Sequence, residues 1–286
     1  MKITYIAIIG LLIPSLRNLA QTTLPIQNSP ITDWTKIPNT HIYSLESENQ
    51  MREEYILLNQ NKYAKGVDIN KLKSNIKSNI EDQRIRSIRI LGLIPQNNLI
   101  IDIEEILQND PSPMVRMECA KSLSQLKSIS SIPILIKELK TEDIQLRLEI
   151  ALTLAFLGEK IESFKALTDL GNKGEWKITL DTHLGYLYIA DKNAVSHLID
   201  DLGNSNSYVS VDAAIILSEL GYFKEAFPTL KLKLNDQDKY IRMSALRGLA
   251  YIGNNAAIDL IRNSLYDIEP MVRDRSSLIL TRCHLL

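Results

Sequence analysis

DQDKYIRMSALRGLAYIGNNAAIDLIRNSL, residues Asp236 to Leu265, is the stretch whose reading decides the fold. Ile241, Ala245, Leu246, Leu249 and Ile252 fall at helical spacing, Gly253 stops the run, and Ala257, Ile258, Ile261 and Leu265 set out a second apolar face. Apolar residues three and four apart line one side of a helix, and a glycine that accepts positive φ suits the end of the first one. The stretch therefore predicts an antiparallel helix pair. Val115, Cys119, Ala120, Leu123 and Leu126, followed by Ile132, Leu135, Ile136 and Leu139, repeat the plan, with Pro113 and Pro133 near the two helix starts. Proline is tolerated there because its missing N–H would lack a partner anyway. Gly158, Gly221 and Gly253 share the slot between the paired helices.

The plan has a period. An aliphatic residue followed by arginine stands at Ile85-Arg86, Val115-Arg116, Leu146-Arg147, Ile241-Arg242 and Val272-Arg273, and degenerate copies stand at Ile178-Thr179 and Val209-Ser210. Self-similarity at this interval is the signature of a repeat array, in which each unit buries its apolar face on its neighbours. No alternating strand pattern recurs. The expected fold is all-α: an α-solenoid of about seven antiparallel helix pairs over residues 81–286, each pair one unit of the stack. Residues 45–80 read as a capping helix pair. Its first helix begins at Ser47, where Ser47 and Gln50 have capping-box spacing, and its second runs from Asp68 through Ile69, Leu72, Ile76 and Ile80.

These units resemble HEAT repeats, specifically the short type also found in phycobilisome lyases. Asp110, Asp236 and Asp267 each lie six residues before Arg116, Arg242 and Arg273, and Ala226-Phe227-Pro228 and Ser131-Ile132-Pro133 echo the later block of that repeat. The resemblance covers residues 81–286. It implies that Arg86, Arg116, Arg147, Arg242 and Arg273 pair with the turn aspartates across successive units, as a structural ladder. The planar guanidinium suits this, because it can satisfy carboxylate and carbonyl acceptors together. A row of arginines facing an anionic partner is the alternative. Thr179 and Ser210 interrupt the ladder in either case. The resemblance speaks to fold rather than function, since such units serve lyases, adaptors and structural proteins alike.

The N-terminal segment bears on location. Met1-Lys2 is followed by an apolar run from Ile3 to Ile13, a break at Pro14-Ser15, and Leu19-Ala20 before Gln21. Such a run is too short to span a bilayer and suits a signal-peptide core. Residues 1–20 therefore read as a bacterial export signal, which would leave the mature protein periplasmic or secreted and without a membrane span. An anchor formed by residues 3–13 is the alternative. Residues 21–44, with Pro25, Pro30 and Pro38, read as an extended leader.

Composition narrows the function classes. Hydrophobic residues make up 45% and charged residues 23%, with a formal net charge of −1. A dedicated nucleic-acid binder carries a clear basic excess, so none is expected. The basic run from Lys62 to Arg89 reads as a solvated helix face. Cys119 and Cys283 lie in the second and last units, too far apart for a disulfide. No phosphate-binding glycine loop, zinc-binding His-Glu-x2-His or nucleophile elbow is present. His183 and His197 lie near Asp181, Asp200 and Asp201, but they read as packing or surface residues, and neither a metal nor another cofactor is expected.

What remains is an aromatic cluster. Trp176, Tyr186, Tyr188 and Tyr208, with Tyr222 and Phe223 beyond, fall in the units that lack the arginine. Aromatic side chains are common interface anchors, and Tyr186 and Tyr188, two apart on one helix, cannot both face the core. The expected function is a noncatalytic scaffold that binds a protein or peptide partner through the middle of the array. The alternatives are an accessory module of a secreted hydrolase and a chromophore lyase-like enzyme.

Overall fold

The computed structural model describes residues 68–172 and 175–282. The export segment 1–20, the leader 21–44, the helix expected from Ser47, and Cys283 and His284 lie outside the described residues. Within them are fourteen helices and no strand: α1 (Ile69–Asn75), α2 (Glu81–Leu91), α3 (Asn97–Asn109), α4 (Pro113–Gln125), α5 (Ile132–Glu138), α6 (Ile144–Phe156), α7 (Ile161–Gly171), α8 (Trp176–Ile189), α9 (Lys192–Asp201), α10 (Ser207–Glu219), α11 (Phe223–Lys233), α12 (Lys239–Ile252), α13 (Asn255–Asn263) and α14 (Pro270–Arg282). The even-numbered helices are the first members of the pairs. The odd-numbered helices from α3 onward are the second.

Local chemistry sets the helix ends. The side chains of Ser112, Asp143, Asn206 and Asp238 accept from backbone N–H groups in the first turns of α4, α6, α10 and α12. They satisfy donors that the helix itself leaves unpaired. Asp68 does the same for α1, which stops at Asn75; Ile80 is not part of it but stands exposed at the N-cap of α2. Where the first helix gives way to the second, the chain turns through positive φ at Lys127 (52°), Gly158 (88°), Ala190 (49°), Gly221 (86°) and Gly253 (61°). These positions are 31 or 32 residues apart, so the glycine slot is occupied in five units, twice by a residue that resists the conformation.

Successive first helices pack directly on one another from α2 to α14, whereas successive second helices scarcely meet, with α3 and α5 the closest of them. The side with the closer layers is the inner side of a curved stack, so the first helices line the concave face. The core falls into two clusters. They meet on α6, which presents Leu146, Ile150 and Leu154 to one and Leu148, Ala151, Leu152 and Ala155 to the other. α6 is buried on both sides and acts as a septum.

Candidate partner-binding site in the middle of the array

The fourth residue of each first helix defines the ladder: Arg84, Arg116, Arg147, Thr179, Ser210, Arg242 and Arg273, spaced 31 or 32 residues apart. In the first unit this slot belongs to Arg84 rather than Arg86, which corrects the register expected from the Ile85-Arg86 dipeptide. Arg86 is solvent-exposed and lies 3.9 Å from Asp82. The misreading has a local cause, because the aliphatic third position of the other units is filled here by Gln83.

The ladder's carboxylate stands three residues before each first helix. Asp110, Asp236 and Asp267 occupy the slot, and in other units Ser78, Thr141 and Asn204 do. At each of these six positions the side-chain oxygen accepts from the backbone N–H two residues later. An aspartate there can also take the arginine of the preceding unit. Arg84 does so at Asp110 through Nε and Nη2 (2.7 and 2.9 Å), and Arg242 at Asp267 (2.8 and 2.8 Å). The remaining nitrogen of Arg242 donates to the backbone carbonyls of Asp236 and Gln237, so the Asp236 carboxylate is not its partner. The next unit offers Arg116 a threonine, Thr141, in place of the aspartate, and Arg116 pairs with Glu138 on α5; Arg147 reaches Asp169 on α7 at 2.7 Å. Arg273 donates to the carbonyls of Asp267 and Ile268.

The ladder lapses at α8 and α10. Thr179 and Ser210 bond back to carbonyls of their own first turns, and Asp236 accepts from Ser207, which Lys233 contacts in turn. A different tie takes over. His183 on α8 is fully buried, with Nδ1 2.9 Å from Asp212 on α10 and Nε2 3.0 Å from Asp201 on α9. Burial alone would lower the imidazole's pKa, but the hydrogen bonds and charges of the two carboxylates outweigh it and push it up to about 9. The ring is therefore an imidazolium at neutral pH, and it clamps three helices. Asp201 is held below the usual carboxylate range: burial would raise it, but the bonds from His183 and Asn204 prevail. Sequence reading singled out His183 and Asp201 but not Asp212, which comes from the following unit.

The aromatic residues divide. Tyr186 is buried, its hydroxyl 3.2 Å from Thr168 and its ring against Phe164 and His197. It is a core residue and offers no contact surface. Tyr188 is half-buried, edge-on to Phe156 at 5.4 Å. Trp176 is 38% exposed and stacks on Tyr208 of the next unit at 5.4 Å. Tyr208 in turn donates to Asp238, a bond that pushes its phenol up to about 12.

A second row runs along the first helices. The sixth residues are Glu118, Glu149, Asp181 and Asp212 in α4 to α10, and the ninth are Arg89, Lys121, Leu152 and Leu184 in α2 to α8. Ninth pairs with sixth across units: Arg89 with Glu118 at 2.8 Å and Lys121 with Glu149 at 3.7 Å. Of the Lys62–Arg89 basic run, Arg89 is paired in this way, while Arg84 sits on Asp110 and Lys73 on Asp102. At α6 the ninth residue becomes Leu152, so Asp181 receives no base from the unit before it. Burial, and then the charge of Asp212, push Asp181 up to about 6.

Among the described residues no group of histidine, cysteine and carboxylate side chains is arranged to hold a metal ion, and no helix is long and apolar enough to cross a membrane. The family model for HEAT repeats matches residues 69–155 and 102–181, and that for the PBS lyase HEAT-like repeat matches 241–267. Among solved structures, the complex of CpcE and CpcF of phycocyanin lyase from Nostoc sp. PCC7120 aligns at 19% identity with a TM-score of 0.54, over 77% of this chain and 95% of that one. YibA of Escherichia coli aligns at 15% identity and 0.50, over 76% and 81%. At such identities the likeness is one of fold. No curated protein sequence matches the chain. The paired helices, the ladder register and the family matches toward both ends of the array lead to one conclusion: the chain carries HEAT repeats over residues 69–181 and a repeat of the PBS-lyase-like type over 241–267.

Proposed function

We propose that this protein is a noncatalytic scaffold that binds a partner protein through the middle of its array, and that it works outside the cytoplasm. The reading rests on one observation above the others. Where the arginine ladder lapses, the fold keeps its rigidity through the buried His183 clamp while leaving Trp176, Tyr188 and Tyr208 partly exposed on or beside the concave face. Large aromatic side chains on a rigid support contribute contact area at small entropic cost, which is what an interface centre needs. The phycocyanin lyase structure, itself a complex of two chains, is in keeping with a fold used to hold a partner. The export reading rests on the segment from Met1 to Ala20, and N-terminal sequencing of the native protein checks it: the expected start is Gln21.

Cross-linking in the envelope fraction tests the binding reading. Trp176→Ala and Tyr188→Ala are expected to lower recovery of cross-linked partners while the melting temperature holds. Unchanged recovery with both variants would overturn the site, and turnover of a chromophore by the purified protein would overturn the noncatalytic reading.

A further inference from the structure

The sixth, ninth and thirteenth residues of a helix share one face, and on α6 and α8 that face is composed in an unusual way. On α8 it presents Asp181, Leu184 and Tyr188; on α6 it presents Glu149, Leu152 and Phe156. Asp212 continues the carboxylate row on α10, with its side chain 25% exposed. Phe156 and Tyr188 touch edge to face, so the thirteenth positions form a continuous aromatic strip between adjacent units. Beside it lies Leu184, half-buried, while Leu152 is buried in the core. The concave face is therefore a groove with two parallel lanes, one of carboxylates running on to Asp212 of α10 and one of leucine and aromatic side chains on α6 and α8.

The charge on this groove is not balanced from within. In the preceding units each sixth-position carboxylate has a base from the unit before it, Arg89 for Glu118 and Lys121 for Glu149. At Asp181 the supplying slot holds Leu152, and the charged neighbour is Asp212, a second carboxylate. Asp212 is held by His183, and its side chain, 25% exposed, lies close enough to Asp181 to raise that carboxyl's pKa. The presence of buried Leu152 where the preceding units carry a base leaves the acid lane short of a cation.

Building on the scaffold reading above, we propose that this groove takes a cationic amphipathic helix of the partner protein, its basic side chains meeting Asp181 and Asp212 and its apolar side chains lying on Leu184, Phe156 and Tyr188. The spacing fits such an occupant. Packed helix layers lie about 8–10 Å apart, and seven residues of helix rise about 10.5 Å, so basic residues seven apart meet carboxylates of adjacent units. The apolar lane separates this occupant from a polyamine, which has nothing to place there. The carboxylate lane repels nucleic acid.

Binding of two synthetic amphipathic peptides to the full-length protein tests the proposal. One is built from leucine, alanine and lysine with lysines seven apart, and the other has glutamate in place of lysine. The lysine peptide is expected to bind and the glutamate peptide not. Asp181→Lys is expected to weaken the lysine peptide by about tenfold or more, since close charge pairs in interfaces couple at or above that level. Leu184→Ala is expected to weaken it as well, whereas Tyr240→Ala, outside the groove, leaves it unchanged. Circular dichroism melts of each variant separate lost binding from lost fold, and Asp181→Asn serves as the charge-neutral version should Asp181→Lys not fold. Equal affinity for wild type and both Asp181 variants overturns the groove. Displacement of the peptide by spermidine at equal charge overturns the amphipathic helix. If the lysine peptide fails while native cross-links still depend on Trp176 and Tyr188, the cationic partner is wrong and the scaffold reading stands; if those cross-links fail too, both fall.

Discussion

Asp181 is the residue at which the requirements of folding and of the proposed binding separate. Its carboxyl is pushed up to about 6 from 3.8, first by burial and then by Asp212. An acid whose pKa is higher in the folded state contributes its full stability below the unfolded value and loses it as the pH rises through the folded one. At pH 7.5 the charge is therefore a cost, and Asp181→Asn is expected to stabilise the free protein by about 1–2 kcal/mol, with no gain at pH 3.5. Urea midpoints at the two pH values check this; equal effects at both would remove the electrostatic account. The ladder residues make the opposite case. Arg84 is almost enclosed and bidentate on Asp110, while Arg86 is exposed beside Asp82. Arg84→Ala strands a buried carboxylate and should cost about 3 kcal/mol, whereas Arg86→Ala should stay within about 0.5 kcal/mol. A thermal melt of each variant decides between the two registers. The sequence led to the wrong arginine here because an aliphatic-arginine dipeptide was the visible pattern, and Ile85-Arg86 imitates it two residues late.

Single helices are where sequence reading stops being sufficient. The helix pairs, their order and their glycine slots are all visible as periodicity, because each depends on neighbours a turn away. The tie among α8, α9 and α10 is not, because His183 meets partners 18 and 29 residues away from two other helices. Tyr186 and Tyr188 show the same limit: spacing indicates that the two cannot both face the core, and only the position of Phe164 and Thr168 on α7 says which one does. The clamp itself has a pH signature. His183 is raised from 6.5 to about 9, so its contribution is full below pH 6.5 and is lost as the pH rises through 9. Asp201 is lowered, so its contribution is present above pH 3.8 and is lost as the pH falls through its depressed value. Between those limits the clamp is closed. His183→Gln is expected to cost about 3 kcal/mol at pH 7 and to flatten the loss of stability between pH 7 and 10. Hydrogen exchange should rise first in α9, which the clamp tethers through Asp201. Unchanged exchange in α9 would mean that its apolar contacts alone hold it.

At the scale of the whole molecule, the array is quasi-one-dimensional, and its stability is a sum of units and the interfaces between them. The two core clusters make this coarser than one unit at a time. Residues from Leu72 to Leu154 form one, residues from Leu148 to Leu280 the other, and both reach α6 from opposite sides. A leucine deleted from a tightly packed core costs about 2–5 kcal/mol, and in a solenoid that loss is felt most where the layers share the cavity. Leu123 is fully buried in the first cluster and Leu246 in the second. Leu123→Ala should therefore raise hydrogen exchange in α2 to α6 and leave α10 to α14 protected, and Leu246→Ala should do the reverse. The prediction discriminates because the septum is a single helix: if either variant raises exchange along the full array, α6 transmits the loss and the protein unfolds as one body. If the two halves respond separately, the groove belongs to the second of them, on which Leu184 and Tyr188 pack. A partner bound there should then lower exchange in helices of the second half that it does not touch and leave α2 and α4 unchanged.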